Sequence, residues 1–105
     1  MQPSDRFARL VAEFAPLEGV VPPGATAGFG SSALRFEGRI FAMLAHDRLV
    51  VKLPAARVET LVGAGEGGHF DANKGRPMKE WLALSPDSDL SWSELAHEAL
   101  RFAHR

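Results

Sequence analysis

The chain of 105 residues contains no cysteine and no tyrosine. The lack of cysteine excludes disulfide bonds and thiolate metal sites, and it is compatible with a reducing compartment. No apolar run approaches the roughly 20 residues that a membrane-spanning helix needs. The first residues, MQPSDRF, lack the basic and apolar regions of a signal peptide. These absences predict a soluble, cytoplasmic protein that does not insert into a membrane.

Neither sign of charge dominates, since 12 Lys and Arg face 13 Asp and Glu for a net charge of −1. Domains dedicated to nucleic acids are usually clearly basic, so the composition argues against strong non-specific DNA binding. A local basic patch is still compatible with this composition. With 46% hydrophobic and 24% charged residues, the composition is typical of a globular protein. By its length, the chain (1–105) is expected to form a single domain with one core.

The stretch 29–54 reads FGSSALRFEGRIFAMLAHDRLVVKLP and organises the rest of the chain. Three apolar runs are separated by two short breaks, Glu37-Gly38 and His46-Asp47, which is the pattern of an antiparallel meander. The middle run, 40–45, is apolar at every position. We therefore expect it to lie between two covered surfaces.

An amphipathic helix is predicted before the meander, with Ser4 as its N-cap and Pro16 as its stop. The apolar residues of its buried face recur at helical spacing. They are Phe7, Leu10, Val11 and Phe14.

Two further helices are predicted after the meander. One starts with Pro54 at its first position and ends at Gly63. The other starts with the capping box of Ser91 and Glu94.

Between these helices, a short strand is predicted near 69–72 and a longer one at 78–84. In the longer strand, Leu82 and Leu84 lie on one face and Trp81 on the other, so either face could meet the core. The predicted order is α-β(3)-α-β(2)-α. This is an α+β fold in which helices cover a mainly antiparallel sheet.

Two short runs resemble functional motifs, but each lacks a feature that the motif requires. The run 63–68, GAGEGG, follows a predicted helix, whereas a phosphate-binding loop leaves a strand and opens a helix. His97-Glu98 begins like the zinc motif HExxH, but Arg101 occupies the position of the second ligand. We therefore predict no cofactor and no metal site.

The glycine-rich loop places His69 and Asp71 two residues apart, a base and a carboxylate. General-base chemistry would need a nucleophile nearby, and the candidates Ser31 and Ser32 lack the GxSxG elbow. No catalytic set is assembled, so a non-enzymatic protein is expected. A small-ligand or enzymatic role of this loop is kept as an alternative.

Basic residues concentrate where the chain enters the last predicted strand, with three positive charges in six residues. Such a group can hold phosphates or an acidic partner, and it is also typical of an exposed loop whose lysines discourage edge pairing. Two arginines that flank the first meander turn would extend this surface if they face outward. The candidate residues for binding a partner or nucleic acid are Lys74, Arg76, Lys79, Arg35 and Arg39.

Several short motifs occur together in a fixed order. They are Phe29-Gly30, Leu34, Gly38, Phe41-Ala42, the run LVVK at 49–52, Phe70, the run GRPM at 75–78, and Trp81. In this order they resemble the N-terminal domain of the TfoX/Sxy proteins, over about three quarters of the chain from residue 28 onward. Gly28 and Ser31 stand where that family has its opening Met and second Gly. The run MKEW at 78–81 is similar to the neighbouring MmcQ/YjbR-like proteins.

The resemblance implies the same α-β(3)-α-β(2)-α fold and a regulatory or protein-interaction module. Full-length TfoX proteins act in the transcriptional control of competence genes and carry a second, C-terminal domain. A protein partner is therefore the leading expectation. Direct DNA binding through the basic patch is the alternative, and an exposed face of the meander is a candidate surface for a homodimer.

Overall fold

The computed structural model describes residues 2–22, 33–71 and 78–104. In chain order, the elements are α1 (Pro3–Phe14), β1 (Val20–Val21), β2 (Ala33–Phe36), β3 (Arg39–Ala45), β4 (Arg48–Lys52), α2 (Ala55–Gly63), β5 (Gly67–His69), β6 (Trp81–Leu84) and α3 (Trp92–Ala103). The predicted α+β fold is confirmed, with β1 as a strand that was not predicted. Within the described part of the chain, no helix is long and apolar enough to cross a bilayer.

The six strands form one sheet in the order β1-β2-β3-β4-β6-β5, and every neighbouring pair is antiparallel. The predicted meander is β2, β3 and β4. Its two turns have positive φ at Glu37 (50°), Gly38 (85°), His46 (52°) and Asp47 (62°). These values are typical of the two-residue turns whose twist matches that of the paired strands. Three of the four positions carry a side chain, so the turns contain some backbone strain.

All three helices pack on one face of the sheet and share one core. From the strands and the residue after β4, its fully buried members include Leu34, Leu49, Val51, Leu53 and Leu82. From the helices, they include Phe14, Val58, Ala96 and Ala99. Burying these apolar side chains is the main source of stability for a domain of this size.

A β-bulge at Phe41 adapts the central strand to the helices. Leu34 lies opposite Ala42 and Arg35 lies opposite Ile40, so Phe41 has no opposite residue on β2. As a result, Phe41 and Ala42 are both buried in the core although they are adjacent in sequence. The expectation that 40–45 lies between two covered surfaces is not confirmed, because Phe41 and Ala42 both join the core on the helix side and no described helix covers the opposite side. Ile40 and the residues 43–45 are half-buried.

The side of the sheet away from the helices is named here the second face. Its residues follow from the strand register. They are Val21, Ala33, Arg35, Ile40, Met43, Ala45, Arg48, Val50, Lys52, Gly68, Trp81 and Ala83. Ala33, Val50 and Ala83 are buried, yet none of them belongs to the core cluster. Among the described residues, no helix packs on this face.

The helix ends differ from the predictions in small ways. Ser4 is not the N-cap of α1, because Pro3 fits the first helical turn and the cap falls on Gln2, whose side chain makes no capping bond. Pro54 is likewise the N-cap of α2 rather than its first residue. The cap of α3 is confirmed, since Ser91 Oγ accepts a hydrogen bond of 3.1 Å from the Glu94 N–H.

The open question about the last strand is also answered. Leu82 and Leu84 face the core, and Trp81 lies on the second face. Strand β6 begins at Trp81, so Glu80 lies in the preceding turn and is not buried.

Glu13 ties α1 to α3. Its Oε2 atom accepts a hydrogen bond of 2.7 Å from Ser93 Oγ and lies 2.9 Å from His97 Nε2. The hydrogen bond from Ser93 is the main cause that lowers the pKa of Glu13 below 4.5; His97 adds to this and partial burial opposes it. A carboxylate with a lowered folded-state pKa stabilises the fold above its unfolded pKa, and the contribution is lost as the pH falls.

We therefore expect Glu13→Gln to lower the free energy of unfolding above pH 4.5 and to lose this effect below it. The difference should not exceed about 1 kcal/mol, because solvent screens the partly exposed carboxylate. Urea denaturation at pH values on both sides of 4.5 measures it. Glu18→Gln is the control, because Glu18 is exposed on the connector after α1. A difference that persists unchanged in acid would contradict this role.

Candidate functional site

The second face combines apolar and cationic side chains. Lys52 lies opposite Trp81 in the register, and its Nζ atom is 5.8 Å from the centre of the Trp81 ring. At this distance the ammonium group is attracted to the face of the indole. Ile40, Met43 and Trp81 are each half-buried. When helices cover one face of an antiparallel sheet, the other face is commonly polar, so this composition is unusual.

The charges of the domain are segregated. None of the 13 Asp and Glu lies in a described strand. The strands contain four cations, Arg35, Arg39, Arg48 and Lys52. Three of the four lie on the second face. This face is therefore cationic although the chain has a net charge of −1.

The structure distributes the candidate residues as follows. Arg35 is half-buried on the second face. Arg39 pairs with Phe36, so it lies on the helix side of the sheet. The two arginines therefore do not form one surface across the turn. Lys79 is exposed in the turn before β6. Lys74 and Arg76 lie outside the described residues.

A concavity of about 390 Å³ opens near the end of the β3–β4 hairpin, and we name it the groove. Its described lining comprises Ala45, His46, Arg48, His69, Phe70, Asp71 and Ala83. Its volume falls in the range of small-molecule sites, about 300 to 1,000 Å³.

Small residues explain why the sheet is concave here. Gly68 lies opposite Ala83 in the register, and a Cβ atom added to Gly68 would meet nothing within 4 Å. Ala45 lies opposite Arg48 in the next strand pair. Because a methyl group or a hydrogen stands where larger side chains usually pack, space remains above the backbone.

His69 and Asp71 both line the groove, as the alternative based on the glycine-rich loop requires. The His69 Nε2 atom is 2.7 Å from Glu59 Oε1, which links β5 to α2. Asp71 is exposed. The candidate nucleophiles Ser31 and Ser32 lie outside the described residues. In the part of the chain that the structure describes, no group of His, Asp or Glu could hold a metal ion.

Three groove residues were missed as a set by sequence reasoning: His46, Arg48 and Phe70. His46 lies in the β3–β4 turn, Arg48 begins β4 and Phe70 follows β5, so the strand order brings Phe70 close to the hairpin. The segregation of charge appears only with the observed strand bounds, because the predicted strands 69–72 and 78–84 contain Asp71 and Glu80.

The fold and the site define a small α+β domain with a cationic second face. No protein-family model, curated protein or solved structure matches the chain. The functional argument therefore depends on the residues themselves.

Proposed function

We propose that this protein is a non-enzymatic interaction module whose second face binds an acidic protein partner. The observation that carries the proposal is the segregation of charge, with all 13 acids outside the described strands. Complementary charge guides the encounter of two proteins and selects between partners.

The apolar residues of the second face support the same proposal. Trp, Met and Arg are enriched in protein interfaces, where aromatic and Arg side chains provide most of the binding energy. Trp81, Met43 and Arg48 are the corresponding residues here. Trp81 and Met43 are half-buried, so a partner would remove further apolar area from water.

The resemblance to the TfoX/Sxy N-terminal domain supports a regulatory role for such binding. We propose that the module acts in transcriptional control, of the competence type, through its protein partner. Fold and motif likeness alone do not transfer a function, so the role depends on the partner that is found.

A photo-reactive amino acid at position 43 tests the surface in the native cell. We expect it to cross-link an acidic protein, and we expect Lys52→Glu or added salt to reduce the cross-link strongly. A photo-reactive residue at the exposed Ala8 of α1 is the positional control, and Arg9→Glu is the charge control. Equal products from positions 43 and 8, or no effect of Lys52→Glu, would refute the proposal.

Direct DNA binding through Lys74, Arg76 and Lys79 is the competing outcome. It predicts that duplex DNA binds at low salt, with an affinity that falls as salt rises. It also predicts that replacing all three residues by alanine removes the binding. A titration with no binding at low salt would exclude this alternative.

A further inference from the structure

The two ends of the groove differ in chemistry. Arg48, an exposed and permanently charged guanidinium group, and His46 line one part of it. Asp71 provides a carboxylate beside Phe70. A ligand with an anionic group is therefore attracted toward Arg48 and repelled by Asp71, which gives it one favoured orientation.

Phe70 contributes an aromatic side chain to the groove, and two hydrogen bonds hold its backbone in place. Its N–H donates a hydrogen bond of 2.9 Å to the Trp81 carbonyl, and its own carbonyl accepts one of 2.9 Å from the Met78 N–H. These two hydrogen bonds fix the backbone of Phe70, and its side chain lines the groove. Aromatic side chains stack on the flat face of any base.

The floor of the groove is small and unobstructed. It contains the methyl groups of Ala45 and Ala83, and the space above Gly68 is open. A planar ring can therefore approach the sheet without displacing a side chain.

We propose that the groove binds a nucleoside monophosphate. The base lies against Phe70, the phosphate accepts charge-assisted hydrogen bonds from Arg48, and Asp71 accepts a hydrogen bond from an amino group of the base. This small-molecule site goes beyond the proposed protein-binding function and does not depend on it.

Calorimetric titration of the full chain with AMP, adenosine and inorganic phosphate tests the site. Since the ring and the phosphate are both used, we expect AMP to bind at least about tenfold more tightly than either fragment. Arg48→Met should remove the preference for AMP over adenosine. An aromatic carboxylate such as benzoate, which has a ring and an anion but no amino group, should bind more weakly than AMP.

Gly68→Leu places a large side chain next to Ala83 of the groove, on the same face of the sheet, and should abolish AMP binding. Gly63→Leu is the matched control, because a Cβ at Gly63 also meets nothing within 4 Å but lies at the end of α2. Thermal melting establishes that both variants fold; if Gly68→Leu does not, Arg48→Met decides. The proposal is overturned if AMP fails to bind, if adenosine binds equally well, or if a folded Gly68→Leu variant binds AMP as the wild type does.

Discussion

Phe14→Ala is expected to lower the free energy of unfolding by about 3 to 5 kcal/mol. The Phe14 side chain is 0% exposed, and its ring centre lies 5.9 Å from that of Phe41 and 4.4 Å from that of His97. It fills the space where α1, β3 and α3 meet, so its removal leaves a cavity that none of the three elements can close alone. Domains of this size are stable by about 5 to 15 kcal/mol in total, and the variant would lose a large part of this.

Urea denaturation of Phe14→Ala and of Val11→Ala provides the comparison. Val11 lies on the same helix and is half-buried, so its truncation should cost about 1 kcal/mol or less. Equal losses for the two variants would show that the junction of α1, β3 and α3 is not the centre of the core.

Gly67→Ala is expected to lower the free energy of unfolding by about 1 to 3 kcal/mol, whereas Gly68→Ala should leave it unchanged or raise it slightly. A Cβ atom at Gly67 would overlap the carbonyl oxygen of Ala83 and approach Leu84 Cα to 3.1 Å. These are backbone atoms of the paired strand, so they cannot move aside without opening β5 from β6. The same atom at Gly68 meets nothing within 4 Å.

The two glycines are neighbours in one strand, so each variant is the control for the other. Thermal melting of both measures the difference directly. Hydrogen exchange of the Phe70 amide, which bonds to Trp81, reports whether β5 has separated from β6. Equal melting temperatures for the two variants would contradict the close approach at Gly67.

The meander and the three helices could be predicted because their signals are local. Apolar periodicity identified the helix around Phe14, and the capping box at Ser91 identified the start of α3. Strand β1 could not be predicted, because the two residues Val20–Val21 have no periodicity. Strand β5 was placed too late in the chain, because Gly67 and Gly68 have low strand propensity and give no pattern.

The face of the sheet on which each side chain lies was harder to predict than the helices and strands themselves. The two-residue turn pairs Arg39 with Phe36, so Arg39 and Arg35 lie on opposite sides of the sheet, and the bulge at Phe41 then changes the alternation of the rest of β3. The sequence of 39–45 contains no signal that indicates the extra residue of the bulge. Trp81 and Leu82 are both large and apolar, and only pairing with β4 decides which of them meets the helices.

The candidate site could be predicted only in part for the same reason. His69 and Asp71 were noticed because they are close in sequence. Arg48 and Ala83 approach this loop through the strand order β4-β6-β5, in which β6 inserts between strands that precede it in the chain. The groove also depends on residues with small side chains, and an alanine or a glycine gives no chemical signal in the sequence by itself.

The turn at His46-Asp47 places two residues with side chains at positive φ. Strain of this kind persists only where the surrounding structure maintains it, and it occurs often at functional sites. His46 also lines the groove, so the least relaxed turn of the sheet is part of the proposed ligand site.

The cationic second face also bears on self-association. If two copies met through this face, Arg48 and Lys52 of each would approach cations of the other without a compensating acid from a described strand. Like charges brought together in this way repel, and the repulsion weakens as salt screens it. We therefore expect pairing through this face to be weak in dilute buffer and to strengthen as ionic strength rises.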